Sequence, residues 1–314
     1  MSLYDNFGRP LLNLRISVTQ RCDYHCTYCH SEGEIKRTND NNRIEMTSEE
    51  IVHITKIAIT LGITRIKLTG GEPLMRHDIC KIVAGIADLS GLKDISLTTN
   101  GLMLSNIAQE LHDVGLGRIN ISLVSLNPET YRTLTGGNLD NALAGVKAAV
   151  NVGFSPVKLN MVLLKGVNEK DVSDMIMYAE KMGVILQLIE LDPVNVSSVY
   201  YNSHHCNLKE QEELLRQRAV DIEQRQFMHN RLIYHLPNVN VEVVHPIENT
   251  DFCMHCTRLR VTSNGNLKTC LMQNNKLTDI LTPIHQGASD EEIKQLFKQA
   301  NQLREPYNKT LNQL

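Results

Sequence analysis

Three absences narrow the reading of this sequence. It lacks a charge excess: 32 Lys and Arg against 35 Asp and Glu give a formal charge of −3. No chain-wide field therefore marks it for nucleic acid or a membrane surface, and any anion binding has to come from basic residues placed locally. It lacks an apolar run approaching the roughly 20 residues of a membrane helix. Its polar start, Met1 to Pro10, has no apolar export segment, so the expectation is a cytoplasmic protein. It also lacks long repeats and low-complexity tracts. What is present is an ordinary globular composition, 42% hydrophobic over 314 residues, enough for one large core or a core with an appendage.

The cysteines are short by one in each of two groups. Of eight, six fall into Cys22, Cys26, Cys29 (C-x3-C-x2-C) and Cys253, Cys256, Cys270 (C-x2-C-x13-C). A reducing cytosol keeps thiols free for metals or catalysis rather than disulfides. Cys80, on an apolar helical face, and Cys206 read as small hydrophobes. A structural zinc site takes four ligands, and each triad has three; His30 or His255 would have to complete it. A cubane iron-sulfur cluster needs one ligand per iron, so three thiolates leave one iron open to bind something that reacts.

From Asn13 onward, short β-branched runs alternate with stretches of helical period. Candidate strands are Leu12–Val18, Arg65–Thr69, Asp94–Thr99, Arg118–Val124, Val157–Leu163 and Ile185–Leu191, each followed by helix-like sequence. The first helix opens with Thr47 and Ser48 as caps and Glu49 and Glu50 in its first turn. Gly62, Gly115, Gly153 and Gly183 sit where C-cap glycines belong. After Pro193 the repeat stops: a long charged helix is expected over Leu208–Met228 and a strand over Asn240–Val244. The fold expectation is α/β: an incomplete (β/α)6 barrel of the TIM type over residues 1–193, whose open side is closed by a C-terminal α+β region over 194–314. The first triad follows the first strand at its C-terminal end, where parallel barrels keep their active sites.

Cys22-Asp-Tyr-His-Cys26-Thr-Tyr-Cys29 resembles the radical S-adenosylmethionine (SAM) signature, and Thr69-Gly70-Gly71-Glu72-Pro73 resembles the GGEP motif of that superfamily. Cys253-Met-His-Cys256-Thr-Arg258-Leu-Arg260, with Leu14-Arg15-Ile-Ser-Val-Thr19, resembles the GTP 3′,8-cyclase (MoaA) family of molybdenum-cofactor biosynthesis. Cys29-His30-Ser-Glu-Gly33 is more like its archaeal members. The resemblance runs from Gly8 to about Pro306.

It implies a lyase with two [4Fe-4S] clusters and SAM as cofactors and GTP as substrate. The first triad would bind a cluster that cleaves SAM to methionine and a 5′-deoxyadenosyl radical, which removes the ribose 3′ hydrogen of GTP; the substrate radical then closes on C8 of guanine. The second triad would hold a cluster that anchors the base. Tyr28, Gly71 and Ser122 match SAM contacts of the family. Arg15, Lys67, Thr98, Lys158, Arg258, Leu259 and Arg260 match its GTP contacts. A triphosphate calls for several converging cations, although a basic residue at a strand edge is by itself more often solvated, and Thr98 read alone is as much a strand-to-turn cap. In an extended segment Arg258 and Arg260 point to one face and Leu259 to the other. The implied partners are a downstream MoaC-type protein and an electron donor; a homodimer is left open, and no membrane or nucleic acid is implied.

The chain departs from the pattern in places. It ends Thr310-Leu-Asn-Gln-Leu314 where bacterial members end in Gly-Gly. Gln187 stands at a family arginine, Asp192 at a methionine that contacts SAM, and Val124 where Asp is common. Arg65, two residues before Lys67, is the expected substitute for the missing arginine. The runner-up is another twin-cluster radical SAM enzyme acting on a peptide or a different nucleotide; a zinc-binding regulatory protein is the distant third.

Overall fold

The structure, a computed structural model, describes residues 3–34 and 45–306. A short antiparallel ribbon, β1 (Leu3–Tyr4) and β2 (Pro10–Leu11), leads into β3 (Asn13–Ser17). Then follow α1 (Ser48–Thr60), β4 (Arg65–Thr69), α2 (Ile79–Ala87), β5 (Asp94–Thr99), α3 (Leu104–Asp113), β6 (Arg118–Ser122), α4 (Pro128–Thr135), α5 (Leu139–Asn151), β7 (Val157–Leu163), α6 (Val172–Met182) and β8 (Ile185–Glu190). Of the two expected caps, Thr47 takes the N-cap of α1 and forms a capping box: Thr47 N–H donates to Glu50 Oε2 at 2.7 Å, and Glu50 N–H to Thr47 Oγ1 at 3.2 Å. Gly183 ends α6 with a left-handed backbone (φ 66°).

The C-terminal part comprises α7 (Ser198–His204), α8 (Lys209–Arg218), β9 (Asp221–Arg225), β10 (Arg231–His235), β11 (Asn240–Val244), α9 (Thr250–Met254), β12 (Arg258–Val261), β13 (Asn266–Lys268), β14 (Leu277–Asp279), α10 (Leu281–His285) and α11 (Asp290–Gln302). Here one expectation is corrected. The long helix over Leu208–Met228 stops at Arg218, and its second half is β9, paired antiparallel with β10 from Asp221↔His235 to Arg225↔Arg231. Only Leu215 is buried along α8, so no apolar face carries the helix further. Beyond it Val220 and Ile222 alternate with polar residues as a strand requires.

One sheet runs β14-β13-β12-β3-β4-β5-β6-β7-β8-β11-β10-β9. The six-unit barrel stands as expected, and the C-terminal region adds a parallel strand at each edge, β11 beside β8 and β12 beside β3. Alternation sorts the side chains. Leu14, Ile16, Ile66, Leu68, Leu97, Ile119, Ile121 and Leu159 are essentially inaccessible and form the core under the helices, while the intervening Arg15, Lys67, Thr98, Asn120, Ser122 and Lys158 face the hollow. The gap between the sheet's two ends is bridged by the β9–β10 turn. His229 N–H donates to His255 O at 3.2 Å, Thr257 Oγ1 to Phe227 O at 2.9 Å, and Asn230 Nδ2 to Asp251 Oδ2 at 3.1 Å. Among the described residues no helix is long and apolar enough to cross a membrane.

Candidate active site

The hollow holds a cavity of about 350 Å³. The six triad cysteines and every residue matched to a SAM or GTP contact line it except Leu259, which lies in the core with 0% exposure, so only its backbone is available to a ligand. Leu259 thus points away from its neighbours Arg258 and Arg260, as the alternation requires. Sheet register explains the gathering: Arg260, Arg15, Lys67, Ser96 and Arg118 are successive partners across β12, β3, β4, β5 and β6. Ser122, Asn160, Gln187 and Glu242 form a second row across β6, β7, β8 and β11.

At one end stand Cys22, Cys26, Cys29 and Tyr28, in the loop after β3. The Gly70-Gly71 turn lies against that loop: Gly71 N–H donates to Thr19 O at 2.8 Å and Glu72 N–H to Arg21 O at 2.7 Å. A Cβ on Gly71 would sit 2.0 Å from Arg21 O, and one on Gly70 2.5 Å from Thr19 O, so the approach needs glycine at both places. Buried Glu72 accepts from Thr99 Oγ1 (2.7 Å), Asn100 N–H (2.6 Å) and Leu74 N–H (3.0 Å), tying the motif to the end of β5. Burial pushes its carboxyl up to about 7. Cys253, Cys256 and Cys270 line the cavity from the C-terminal side.

Between the two triads the wall is cationic. Ser31, Glu32 and Gly33 share a left-handed backbone (φ 48°, 52° and 69°), which turns the Glu32 carboxylate inward. It takes Arg15 Nη2 at 3.0 Å and Arg260 Nη1 at 2.5 Å. Burial alone would raise this carboxyl, but Arg15 and Arg260 hold it down to about 2. Glu242, with 0% exposure, receives Lys158, Gln187 Nε2 (2.7 Å), Arg225 Nη1 (2.8 Å) and Arg231 Nη2 (3.2 Å). Lys67 donates to Asn120 Oδ1 at 2.8 Å; burial and the surrounding cations put its ammonium well below the usual lysine range. Burial, then Arg15 and Arg260, lowers Arg258 to about 9, and its guanidinium has no hydrogen bond or ion pair among the described residues. Arg15 Nε, Thr98 Oγ1 and Asp192 Oδ1 are buried and unpartnered. The arrangement is an underpaired set of cations and polar atoms awaiting an anion.

Several of these residues were not singled out by the sequence: Glu32, Glu242, Arg225, Arg231 and His229, whose ring stacks on Phe252 at 4.1 Å. Arg65 does not substitute for the arginine missing at Gln187. It is exposed at the start of β4 and does not line the cavity; Arg225 and Arg231 are the cations beside Gln187, through Glu242. Val124 and Asp192 do line it. The chain end Thr310–Leu314 lies outside the described residues. His30 Nδ1 accepts from Glu32 N–H at 3.0 Å, so one ring nitrogen is already engaged. Among the described residues no three Cys, His, Asp or Glu side chains converge as the ligands of a single metal ion do. A cubane, whose thiolates each bind a different iron, does not need such convergence.

The Radical SAM superfamily model matches residues 16–179, and that of Molybdenum Cofactor Synthesis C matches residues 184–310. The chain is 48% identical to a "Probable GTP 3′,8-cyclase" of Thermococcus kodakarensis over 312 residues, 97% of this chain and 99% of that one. It belongs to the GTP 3′,8-cyclase family of radical SAM enzymes. A relative of the same name from Methanocaldococcus jannaschii is 41% identical, over 97% of this chain and 99% of its own. Two solved structures share the fold. Streptococcus suis SuiB bound to SAM has a TM-score of 0.65 at 16% identity, covering 87% of this chain and 64% of its own. The structure of anSMEcpe with bound AdoMet has 0.57 at 15%, covering 93% and 82%. The cofactors of a GTP 3′,8-cyclase family member are SAM and two [4Fe-4S] clusters. The donor set fits them, since two groups of three thiols, each one short of closing a cubane, open on one cavity.

Proposed function

We propose that this protein is a lyase that converts GTP to (8S)-3′,8-cyclo-7,8-dihydroguanosine 5′-triphosphate, the first step of molybdenum-cofactor biosynthesis, with SAM cleaved to 5′-deoxyadenosine and methionine. One observation carries the reading: both cysteine triads face a single cavity whose intervening wall is cationic and underpaired. A peptide does not call for such a wall, whereas a triphosphate does.

Cys22, Cys26 and Cys29 hold the first cluster, and Cys253, Cys256 and Cys270 the second. When bound, the first cluster supplies the electron that splits SAM and so the radical that takes the ribose hydrogen. Gly71 gives SAM a backbone that approaches closely, Tyr28 an aromatic face and Ser122 a hydroxyl from β6. Arg15, Lys67, Thr98, Lys158, Arg258, Arg260 and the backbone of Leu259 bind GTP. Glu32 pairs with Arg15 and Arg260, and Glu242 with Lys158, Arg225 and Arg231, so each carboxylate faces more cations than it can neutralise and the excess is left for the substrate. Each charge-assisted bond to a phosphate oxygen is worth about 1.5–3 kcal/mol. Residues 1–193 form the SAM-cleaving unit and 194–314 the unit that positions the base, in the cytoplasm. An electron donor feeds the first cluster, and a MoaC-type protein takes the product; a homodimer fits the reading as well as a monomer does.

The test is anaerobic incubation of reconstituted protein with SAM, dithionite and GTP. The expected products are 5′-deoxyadenosine and a cyclised nucleotide in equal amounts, absent with ATP. SAM cleavage that leaves GTP unchanged would overturn the proposal.

A further inference from the structure

Asp5, Arg9 and Arg304 are 7%, 4% and 1% exposed, although they come from opposite ends of the chain. Asp5 and Arg9 belong to the turn between β1 and β2, and Arg304 follows α11. Arg9 Nε meets Asp5 Oδ2 at 2.8 Å, and Arg304 Nη1 meets the same oxygen at 3.3 Å. The other Asp5 oxygen accepts Phe7 N–H and Arg9 N–H, both at 3.0 Å. The guanidinium arms then reach across the fold to the second triad. Arg9 Nη1 donates to the carbonyl of Cys253 at 2.7 Å, and Arg304 Nη2 donates to the carbonyl of Cys256. Arg304 is fixed further by Asn301 Oδ1 at 3.0 Å, while its buried Nε has no partner.

The charge count is what makes this more than a brace. Two guanidinium groups face one carboxylate, which leaves one net positive charge in a place nearly closed to water. A purely structural ion pair gains nothing from the excess and bears its desolvation cost. Three thiolates around a [4Fe-4S] core supply the missing negative charge, since the oxidised 2+ core with three thiolates is anionic.

We infer that Arg9 and Arg304, paired through Asp5, are positioning residues for the second cluster, fixing the backbone of Cys253 and Cys256 and setting a positive potential against the cluster. The inference rests on the assignment of Cys253, Cys256 and Cys270 to that cluster. Positive charge at this range favours the reduced cluster and raises its midpoint potential, one of the levers by which proteins tune such centres.

The experiment uses full-length protein reconstituted anaerobically, with iron analysis and electron paramagnetic resonance during redox titration. The Cys270→Ala variant supplies the signal of the first cluster alone. Arg304→Gln and Arg9→Gln are expected either to move the second midpoint to more negative potential with the first unmoved, or to hold about four irons in place of about eight with the first signal intact. Arg304→Lys, which keeps the charge, is expected to recover most of the midpoint shift. An unchanged second midpoint in both Gln variants at full iron content would overturn the inference. So would equal damage to both clusters together with a lowered melting temperature of the apoprotein, which would mark a general folding role. Wild-type protein that takes up only the first cluster would instead overturn the cysteine assignment, and the inference with it.

Discussion

Glu242→Gln is the most direct test of the cationic wall. Glu242 is fully buried and holds Lys158, Arg225, Arg231 and Gln187. The amide keeps the volume and removes the charge, leaving three cations without their common counter-ion. Breaking a buried ion pair from one side costs about 3–5 kcal/mol, which at roughly 2–4 °C per kcal/mol lowers the melting temperature by about 10 °C. A triphosphate reverses the sign of the effect, because the cations freed from Glu242 are then available to the ligand. Each tenfold gain in affinity adds about 1.4 kcal/mol of ligand-induced stabilisation at saturation. GTP should therefore stabilise the variant by at least that much more than it stabilises the wild type, as read by anaerobic calorimetry with and without nucleotide. The cations hold the Glu242 carboxyl well below its ordinary range. Its stabilising contribution is thus fully present above the unfolded value of about 4.3 and is lost only in stronger acid, so the difference between the two proteins should be flat from pH 5 to 7. Equal stability of variant and wild type, or equal stabilisation of both by GTP, would refute the reasoning.

Gly71→Ala places a methyl 2.0 Å from the Arg21 carbonyl, so the loop bearing Cys22, Cys26 and Cys29 must shift. The expected result is SAM cleavage down by roughly 10²-fold or more with the second cluster retained, checked by 5′-deoxyadenosine release and iron content. Burial raises the Asp192 carboxyl to about 7. The folded state then holds a proton that the unfolded state gives up near pH 4, so wild-type stability falls as pH rises from 4 to 7. Asp192→Asn should nearly equal the wild type at pH 4 and exceed it by about 4 kcal/mol at pH 8 in urea titrations. Glu32 behaves oppositely: held at about 2 by Arg15 and Arg260 against its burial, it stabilises above pH 4.5, and that contribution fades as pH falls toward 2. Glu32→Gln should cost about 3 kcal/mol at pH 7 and little at pH 2 by the same measurement.

The barrel was legible because each strand carries one strong rule. In Arg65–Thr69, Asp94–Thr99 and Val157–Leu163 apolar helix-facing positions alternate with polar ones on the other face, Val162 at the cavity being an exception, and the expected bounds match the observed ones. The charged stretch from Leu208 misled because charge alone does not separate a solvated helix from a solvated hairpin; the alternation at Val220 and Ile222 was the better signal. That error hid Arg225, since a residue assigned to an outer helix is not sought at the cavity. Glu242 sat in a segment correctly read as a strand, yet an acid flanked by Val241 and Val243 in a β-branched run has to find buried cations, and that inference was open from sequence. Glu32 was not, because its role depends on a left-handed turn that residue types alone did not specify. Arg9 and Arg304 lie too far apart in the chain for any local pattern to join them.

The bridge between the sheet's two ends works as a clasp. The His229–His255 and Thr257–Phe227 hydrogen bonds, those of Asn230 with Asp251 and His255, and the stacking of His229 on Phe252 fasten it, at roughly 0.5–1.5 kcal/mol for each contact. A ladder of strand pairing would have to be unzipped to admit a nucleotide through the wall, whereas a clasp parts without unpairing any strand. Closure of the hollow on that side thus rests on side-chain and loop contacts, independent of the strand ladders that hold the rest of the wall.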